Sequence, residues 1–299
     1  MEKACRADAI IFNAEGSTYR DNNICALKGL FMLWFAKTKL GKKSLFLNGS
    51  VTLTRVDATL PAMVNKVFSS IDMAAVREPE SCQNILDYYP ELAGKIDMIP
   101  DSTYALELEQ RILADCPFLD LDFFALSLSM LPVDFCRTRE TSTLVHLIQE
   151  LKKIVPNVVL LGKDKEDQIL KDVAQLTGAH FVGPSYDYQD ILNILRRAKF
   201  IVSGRYHNAI FATKVGCPVI PLHTSSQKIF GLARLFNGTM PEPVDPTDLW
   251  HEENKVLNHA HAILEQGESL RNAYQKRAAE LREEAFRLSE KIRDILAVP

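Results

Sequence analysis

The sequence predicts an α/β protein made of two doubly wound, Rossmann-like parallel-sheet lobes and a long C-terminal helix. Three observations carry this reading. Short apolar runs alternate with stretches of helical periodicity from about residue 9 to about residue 236. The composition changes around Pro117–Asp122, where a second alternating series begins. Near the end, Leu270, Tyr274, Ala278, Leu281, Ala285, Leu288, Ile292 and Leu296 recur at steps of three and four. The 299 residues are enough for two domains of ordinary size. The expected division is a first lobe over 1–117, a second over 118–241 and a helical segment over 242–299 that packs across both.

In the first lobe, Ala9–Phe12 reads as a strand and Asn13–Thr18 as its loop. Asn22 and Asn23 can cap a helix that runs to about Lys39 and stops at Gly41. Ser44–Leu47 is the next strand, followed by a helix over about Leu60–Phe68. Ile71–Val76 is a strand ending in Arg77, and Pro79 opens a helix where proline is tolerated. Ile96–Ile99 is a short strand ending in Pro100-Asp101-Ser102. Function is expected at these strand ends, at Asn13/Glu15, Arg77 and Asp101, although Asp101 itself reads as a turn residue.

The second lobe starts with a strand over Phe123–Met130 and a loop holding Leu131-Pro132. Helices over Thr141–Ile154, Lys165–Leu176 and Tyr188–Ala198 alternate with strands over Asn157–Leu161 and Ala179–Val182. Ile201-Val202 close another apolar run, and Cys217–Leu222 forms the last strand. Pro241-Glu242-Pro243 and Pro246 mark a linker. The helices His251–Glu265 and Ser269–Leu296 follow, split at Gly267. Their apolar stripe is too short for a coiled coil to be compelling and reads as a packing face.

Bulk composition excludes several classes. The chain is 47% hydrophobic and 24% charged, with a net charge of -3, which argues against a general nucleic-acid binder. Cys5, Cys25, Cys82, Cys116, Cys136 and Cys217 show no C-x-x-C spacing and read as reduced, mostly buried thiols of a cytoplasmic protein. His259 and His261 lie two apart on a helix and face different ways, so no metal cluster is expected. Met1-Glu2-Lys3 leads directly toward a strand, without the pattern of a signal peptide. The most membrane-like run, Ile24–Ala36, contains Lys28 and is too short to span. It reads as a buried helix, with peripheral contact to a bilayer surface as the weaker alternative.

The window from Ile201 to Phe236 contains Arg205, Lys214, Lys228 and Arg234 but no Asp or Glu. Its loops follow strands and open helices, whose free N–H groups favour anions. Arg205 and Lys228 are expected to flank one crevice, where Ser203, Gly204 and Ser226 add hydroxyl and backbone donors. An anionic, phosphate-bearing ligand follows from this. His207, beside those cations, is the candidate general acid or base. His223 reads as a strand-end residue, and Trp34 and Trp250 as packing residues.

Several segments resemble the polysaccharide pyruvyl transferase family in the family's own order. They are Ala7-Asp8-Ala9-Ile10-Ile11-Phe12-Asn13-Ala14-Glu15-Gly16-Ser17, then Val76-Arg77-Glu78-Pro79-Glu80-Ser81, then Pro100-Asp101-Ser102. Ser203-Gly204-Arg205-Tyr206-His207 follows, with Gly216-Cys217-Pro218 and Lys228 through Gly231. The similarity covers roughly residues 7–236. Ala14 stands where the family usually has Gly, Tyr19 where it often has His, and Glu78 where it has Asp. The family also usually carries a further strand, glycine-rich loop and helix ahead of the Asp8 position, so the first lobe reads as shortened.

The resemblance implies a glycosyltransferase-B-like fold. It also implies transfer of pyruvate from phosphoenolpyruvate onto two sugar hydroxyls of a cell-wall or capsular polysaccharide or its lipid-linked precursor. The product is a cyclic ketal, phosphate is released, and neither metal nor nucleotide is required. On that reading Arg77, Arg205 and Lys228 hold the donor. His207 and Glu15 move protons, with Arg205 assisting phosphate departure, and Asn13 and Tyr19 face the acceptor. Two alternatives stay open: a nucleotide-sugar glycosyltransferase of the same fold, and a non-catalytic glycan-binding relative.

Overall fold

The computed structural model describes residues 6–297 apart from 17, 112, 114–115, 129–140, 164–167, 225 and 247–248. The expectations for Ser17, the Leu131-Pro132 loop, Cys5 and Cys136 lie outside the described residues, as does the side chain of Trp250. The chain forms two compact units. One comprises Met1–Ala105, Ser226–Gly231 and Glu280–Pro299; the other comprises Leu106–Ser225 and Leu232–Ala279.

The first unit is built on a parallel sheet of β1 (Ala9–Asn13), β3 (Lys43–Gly49), β5 (Met73–Val76) and β6 (Ile96–Met98), in that spatial order. A two-residue bridge pairs β2 (Thr18–Tyr19) with β4 (Val51–Thr52). The crossovers are α1 (Ile24–Leu40), α2 (Thr59–Phe68) and α3 (Pro79–Tyr88). Strand order follows chain order, so every connection steps the same way across the sheet. The Asn23 side chain caps α1 by accepting from Ala26 N–H, and Gly41 ends the helix in the left-handed region at φ 64°. Helix α1 sits close on β1 because residue 29 is glycine. A Cβ there would lie 2.5 Å from the Phe12 ring. Phe46, Leu30, Leu33, Val64 and Phe68 fill the core beneath.

One expectation changes at α1. Its inner residues Ala26, Leu30, Leu33 and Ala36 are buried, but Ile24 and Phe31 are 61% and 45% exposed. Apolar residues recur on more than one side of this helix, and the core of the unit covers only the side that carries Ala26, Leu30, Leu33 and Ala36.

The second unit holds β7 (Phe123–Ser127), β8 (Asn157–Leu161), β9 (His180–Val182), β10 (Ile201–Ser203) and β11 (Val219–Pro221). All pair in parallel, in the spatial order β11-β10-β7-β8-β9. Their crossovers are α4 (Ser142–Ile154), α5 (Gln168–Thr177), α6 (Tyr188–Arg197) and α7 (Tyr206–Lys214), and α8 (Lys228–Leu235) follows β11. The chain runs outward from β7 through β8 to β9, then returns to place β10 on the other side of β7. The reversal between β7 and β10 is a topological switch point.

The last helix, α9 (Leu249–Ala297), breaks at Gly267, whose backbone at φ 52°, ψ -129° is non-helical. Leu270, Tyr274, Ala278, Leu281 and Ala285 are buried as the periodicity requires. Beyond them Leu288, Ile292 and Ile295 pack on Leu45, Leu47 and Met73 of the first sheet. Leu296 drops out of the stripe at 45% exposure, and Ile295 takes its place. No helix of the described residues is long and apolar enough to cross a membrane. Among the described residues no group of His, Cys, Asp and Glu could hold a metal ion.

Candidate functional site

In the first unit the strand ends converge on Arg77. It follows β5 directly, and its N–H donates to Gly49 O at 3.1 Å. The side chain is 1% exposed. Its Nε donates to Ser50 Oγ at 2.8 Å and its Nη1 to Asp101 Oδ2 at 2.6 Å, while Glu78 Oε2 stands 3.6 Å from Nε. Each partner is itself held. Asp101 Oδ1 accepts from Thr103 N–H at 2.8 Å, so the turn role read from sequence is real and an ion pair is added to it. Glu78 Oε1 accepts from Ser81 Oγ at 2.7 Å, and Ser81 Oγ accepts from Val51 N–H at 2.8 Å.

One guanidinium therefore faces two buried carboxylates. Burial pushes the Glu78 carboxyl up to about 7, and the neighbouring Arg77 charge opposes that rise.

Lys228 belongs beside this cluster. A Cβ built on Gly16 would lie 3.4 Å from Arg77 Nη2 and 3.5 Å from Lys228 Nζ. Two cations thus approach one bare Cα in the loop after β1. The sequence reading puts Lys228 and Ser226 in the second lobe. The segment Ser226–Gly231 groups with the first unit, for two physical reasons. Gln227 Nε2 donates to Val51 O at 2.9 Å and to Glu80 O at 3.0 Å. Gly231 also packs against Glu78 so closely that a Cβ would lie 2.4 Å from Glu78 Cγ. Neither anchor leaves a local signal in sequence.

Glu15 is exposed and takes φ 46°, and its carbonyl accepts from Ser50 N–H at 2.6 Å. The loop after β1 is thereby tied to the serine that holds Arg77. Asn13 is exposed at the end of β1, and Tyr19 is half-buried on β2.

In the second unit the expected residues gather at the switch point. Ser203 ends β10 in register with Ser127 at the end of β7. Gly204 N–H donates to Ser127 O at 2.9 Å, and Asn208 Nδ2 donates to Ser127 Oγ at 2.6 Å. Ser203 Oγ donates to Arg205 O at 3.1 Å and accepts from Arg205 N–H at 3.2 Å. Arg205 occupies the N-cap position of α7 in extended conformation, at φ -93°, ψ 117°. His207 lies in the first turn, its ring 5.8 Å from the buried Tyr206 ring and nearly perpendicular to it. Arg205 and His207 are both half-buried. His223 behaves as the strand-end residue expected, its N–H donating to Val244 O at 2.8 Å.

Sequence reading missed Ser50, Ser127 and Asn208, which are neutral residues whose roles depend on strand order, and it met Ser81 only as part of a family segment. The pairing of Asp101 with Arg77 was also missed, although both stand at strand ends and that coincidence was the available signal.

Two parallel sheets, one with a switch point, and a kinked terminal helix define a class: the glycosyltransferase-B-like α/β proteins. Solved structures agree at the level of fold. The UDP-GlcNAc 2-epimerase of Neisseria meningitidis, bound to UDP-GlcNAc, matches with a TM-score of 0.64 at 11% identity, covering 96% of this chain and 76% of that one. A glycosyltransferase from Rickettsia africae matches at 0.62 and 14% identity, over 99% and 79% of the two chains. MnaA of S. aureus, solved with UDP, matches at 0.63 and 12% identity, over 100% and 81%. A comparison with curated protein sequences finds no match. The family model described as polysaccharide pyruvyl transferase matches residues 2–226, and the chain belongs to that family.

Proposed function

We propose that this protein transfers pyruvate from phosphoenolpyruvate onto two hydroxyls of one sugar in a cell-surface polysaccharide or its precursor. The observation that carries this reading is the approach of Arg77 Nη2 and Lys228 Nζ to the bare Cα of Gly16, within the motif that marks the family. Phosphoenolpyruvate presents a phosphate and a carboxylate on three carbons, and both are matched by cationic donors.

Chemically, the methylene carbon gains a proton while a first sugar hydroxyl adds to C2. The C2–O bond to phosphate then breaks, and a second hydroxyl closes the ketal. One hydroxyl proton ends on the new methyl group and the other leaves with phosphate. Arg77 and Lys228 hold the anionic donor, and Glu15 serves as base toward the acceptor, with Asn13 and Tyr19 as acceptor contacts. His207 is the acid that protonates the methylene carbon. Arg205 stabilises the departing phosphate, with Ser203 and Gly204 as further donors, and Ser226 adds a hydroxyl near Lys228. This chemistry calls for no metal and no nucleotide. The absence of C-x-x-C spacing in the sequence fits action in the cytoplasm.

The test is phosphate release from phosphoenolpyruvate with a panel of sugar and lipid-linked acceptors, beside thermal shifts with phosphoenolpyruvate and nucleotide sugars. Acceptor-dependent phosphate release, with stabilisation by phosphoenolpyruvate, is expected. Stabilisation by a nucleotide sugar alone would replace this reading with the glycosyltransferase one. Silence across both panels would leave a non-catalytic glycan binder.

A further inference from the structure

We propose that the outer face of α1, with the loop that enters α2, docks the protein on an anionic lipid surface. The inference is independent of the reaction proposed above and rests on what this face exposes. Ile24 is 61% exposed, Phe31 45% and Val56 93%. Phe31 stacks on Phe35 with centroids 5.9 Å apart and lies 6.0 Å from Trp34, so the exposed ring sits at the edge of an aromatic cluster. Val56 precedes Asp57, whose Oδ1 accepts from Asp21 N–H at 2.9 Å. The Asp21 carboxylate, three residues before Ile24, accepts from the N–H groups of Ala58, Thr59 and Leu60 and so ties the two helix starts together.

Charge decides the occupant. The sequences of α1 and α2 contain Lys28, Lys37, Lys39 and Lys66 and no Asp or Glu. Lys37 pairs with Asp72 at 2.5 Å. Lys66 Nζ lies 4.5 Å and Lys39 Nζ 5.8 Å from the centre of the Trp34 ring, so two ammonium groups sit over its face. The carboxylates of Asp21 and Asp57 keep their charge within the loop's hydrogen bonds, and Arg20 and Arg55 stand beside them in sequence. Exposed Phe31, Ile24 and Val56 offer apolar side chains to an acyl boundary, and Lys28, Lys39 and Lys66 offer cations to its headgroups. A second copy of this chain is a poor occupant, because a twofold pairing would set lysines against lysines. Anionic headgroups complement these lysines, and the apolar residues enter the acyl boundary.

The experiment is co-sedimentation of the full chain with phosphatidylcholine vesicles, with and without phosphatidylglycerol. Binding to the anionic vesicles is expected, weakening as salt is raised. Lys28→Glu/Lys39→Glu should bind at least about tenfold more weakly. Phe31→Glu should sediment no more than with neutral vesicles, and Val56→Glu, at a fully solvated position, repeats the test without risk to folding. The proposal is overturned if the parent ignores anionic vesicles or if the variants bind like the parent. It is equally overturned if the parent is a dimer that Phe31→Glu disperses.

Discussion

The two units solve the same problem, placing polar groups at the ends of parallel strands, in opposite ways. In the first, the chemistry is charged and buried: Arg77, Glu78 and Asp101 are 1%, 0% and 0% exposed. In the second, the groups locked at the strand ends are neutral, Ser127, Ser203 and Asn208, and the charged Arg205 and His207 stay half-buried at a helix start. The difference comes from topology. The first sheet runs one way and presents no switch point, so its polar residues pack into the layer beneath the strand ends. The second sheet reverses between β7 and β10, and Arg205 and His207 follow β10 at that reversal. Charge in the first unit is therefore coupled to burial, whereas Arg205 and His207 in the second are only half-buried.

The sharpest way to break this contrast is to remove one arginine from each unit. Arg77→Ala removes the guanidinium that the buried Glu78 and Asp101 carboxylates face and should cost on the order of 3–5 kcal/mol in urea unfolding. Arg205→Ala should change stability by less than about 1 kcal/mol while turnover falls by about two orders of magnitude or more. Equal stability losses would erase the distinction between the units.

Gly231→Ala comes next. Its Cβ would collide with Glu78 at 2.4 Å, and Glu78 is wedged in a buried cluster. A loss of about 1–3 kcal/mol is expected, together with weaker phosphoenolpyruvate binding because Lys228 shares that turn. Normal stability would show that the segment is not anchored as described.

Glu78 supplies a pH test. Its proton affinity in the fold is raised from 4.5 to about 7. The folded state therefore binds more protons than the unfolded chain across that interval, and stability falls as pH rises through it. Glu78→Gln keeps the oxygen that accepts from Ser81 and cannot ionise. Measured by thermal unfolding from pH 5 to pH 8, the variant should gain on the parent as pH rises. A constant difference would mean that Glu78 is charged throughout.

The smallest effect is expected for Gly16→Ala. The added methyl meets Arg77 and Lys228 at ordinary contact distances of 3.4 and 3.5 Å, so folding should be unchanged. If a donor anion occupies that space, KM for phosphoenolpyruvate rises several-fold while kcat changes less. An unchanged KM would move the donor elsewhere.

Much of this protein could be read from residues a few positions apart. Alternating apolar runs located the strands and helices. Gly41 and Gly267 marked the breaks where the backbone leaves helical conformation, and ordered motifs pointed to the family. These are local properties, determined by side-chain periodicity and by which residues tolerate a given φ. Tertiary structure alone decided which charges meet. Arg77 finds Asp101 24 residues away and Ser50 27 residues away. Gln227 reaches Glu80 across 147 residues and carries Lys228 to the first unit. Strand order, which no local pattern encodes, sets such distances. It buries one cluster of charges in the first unit, places another beside a switch point, and leaves Ile24 and Phe31 of α1 exposed.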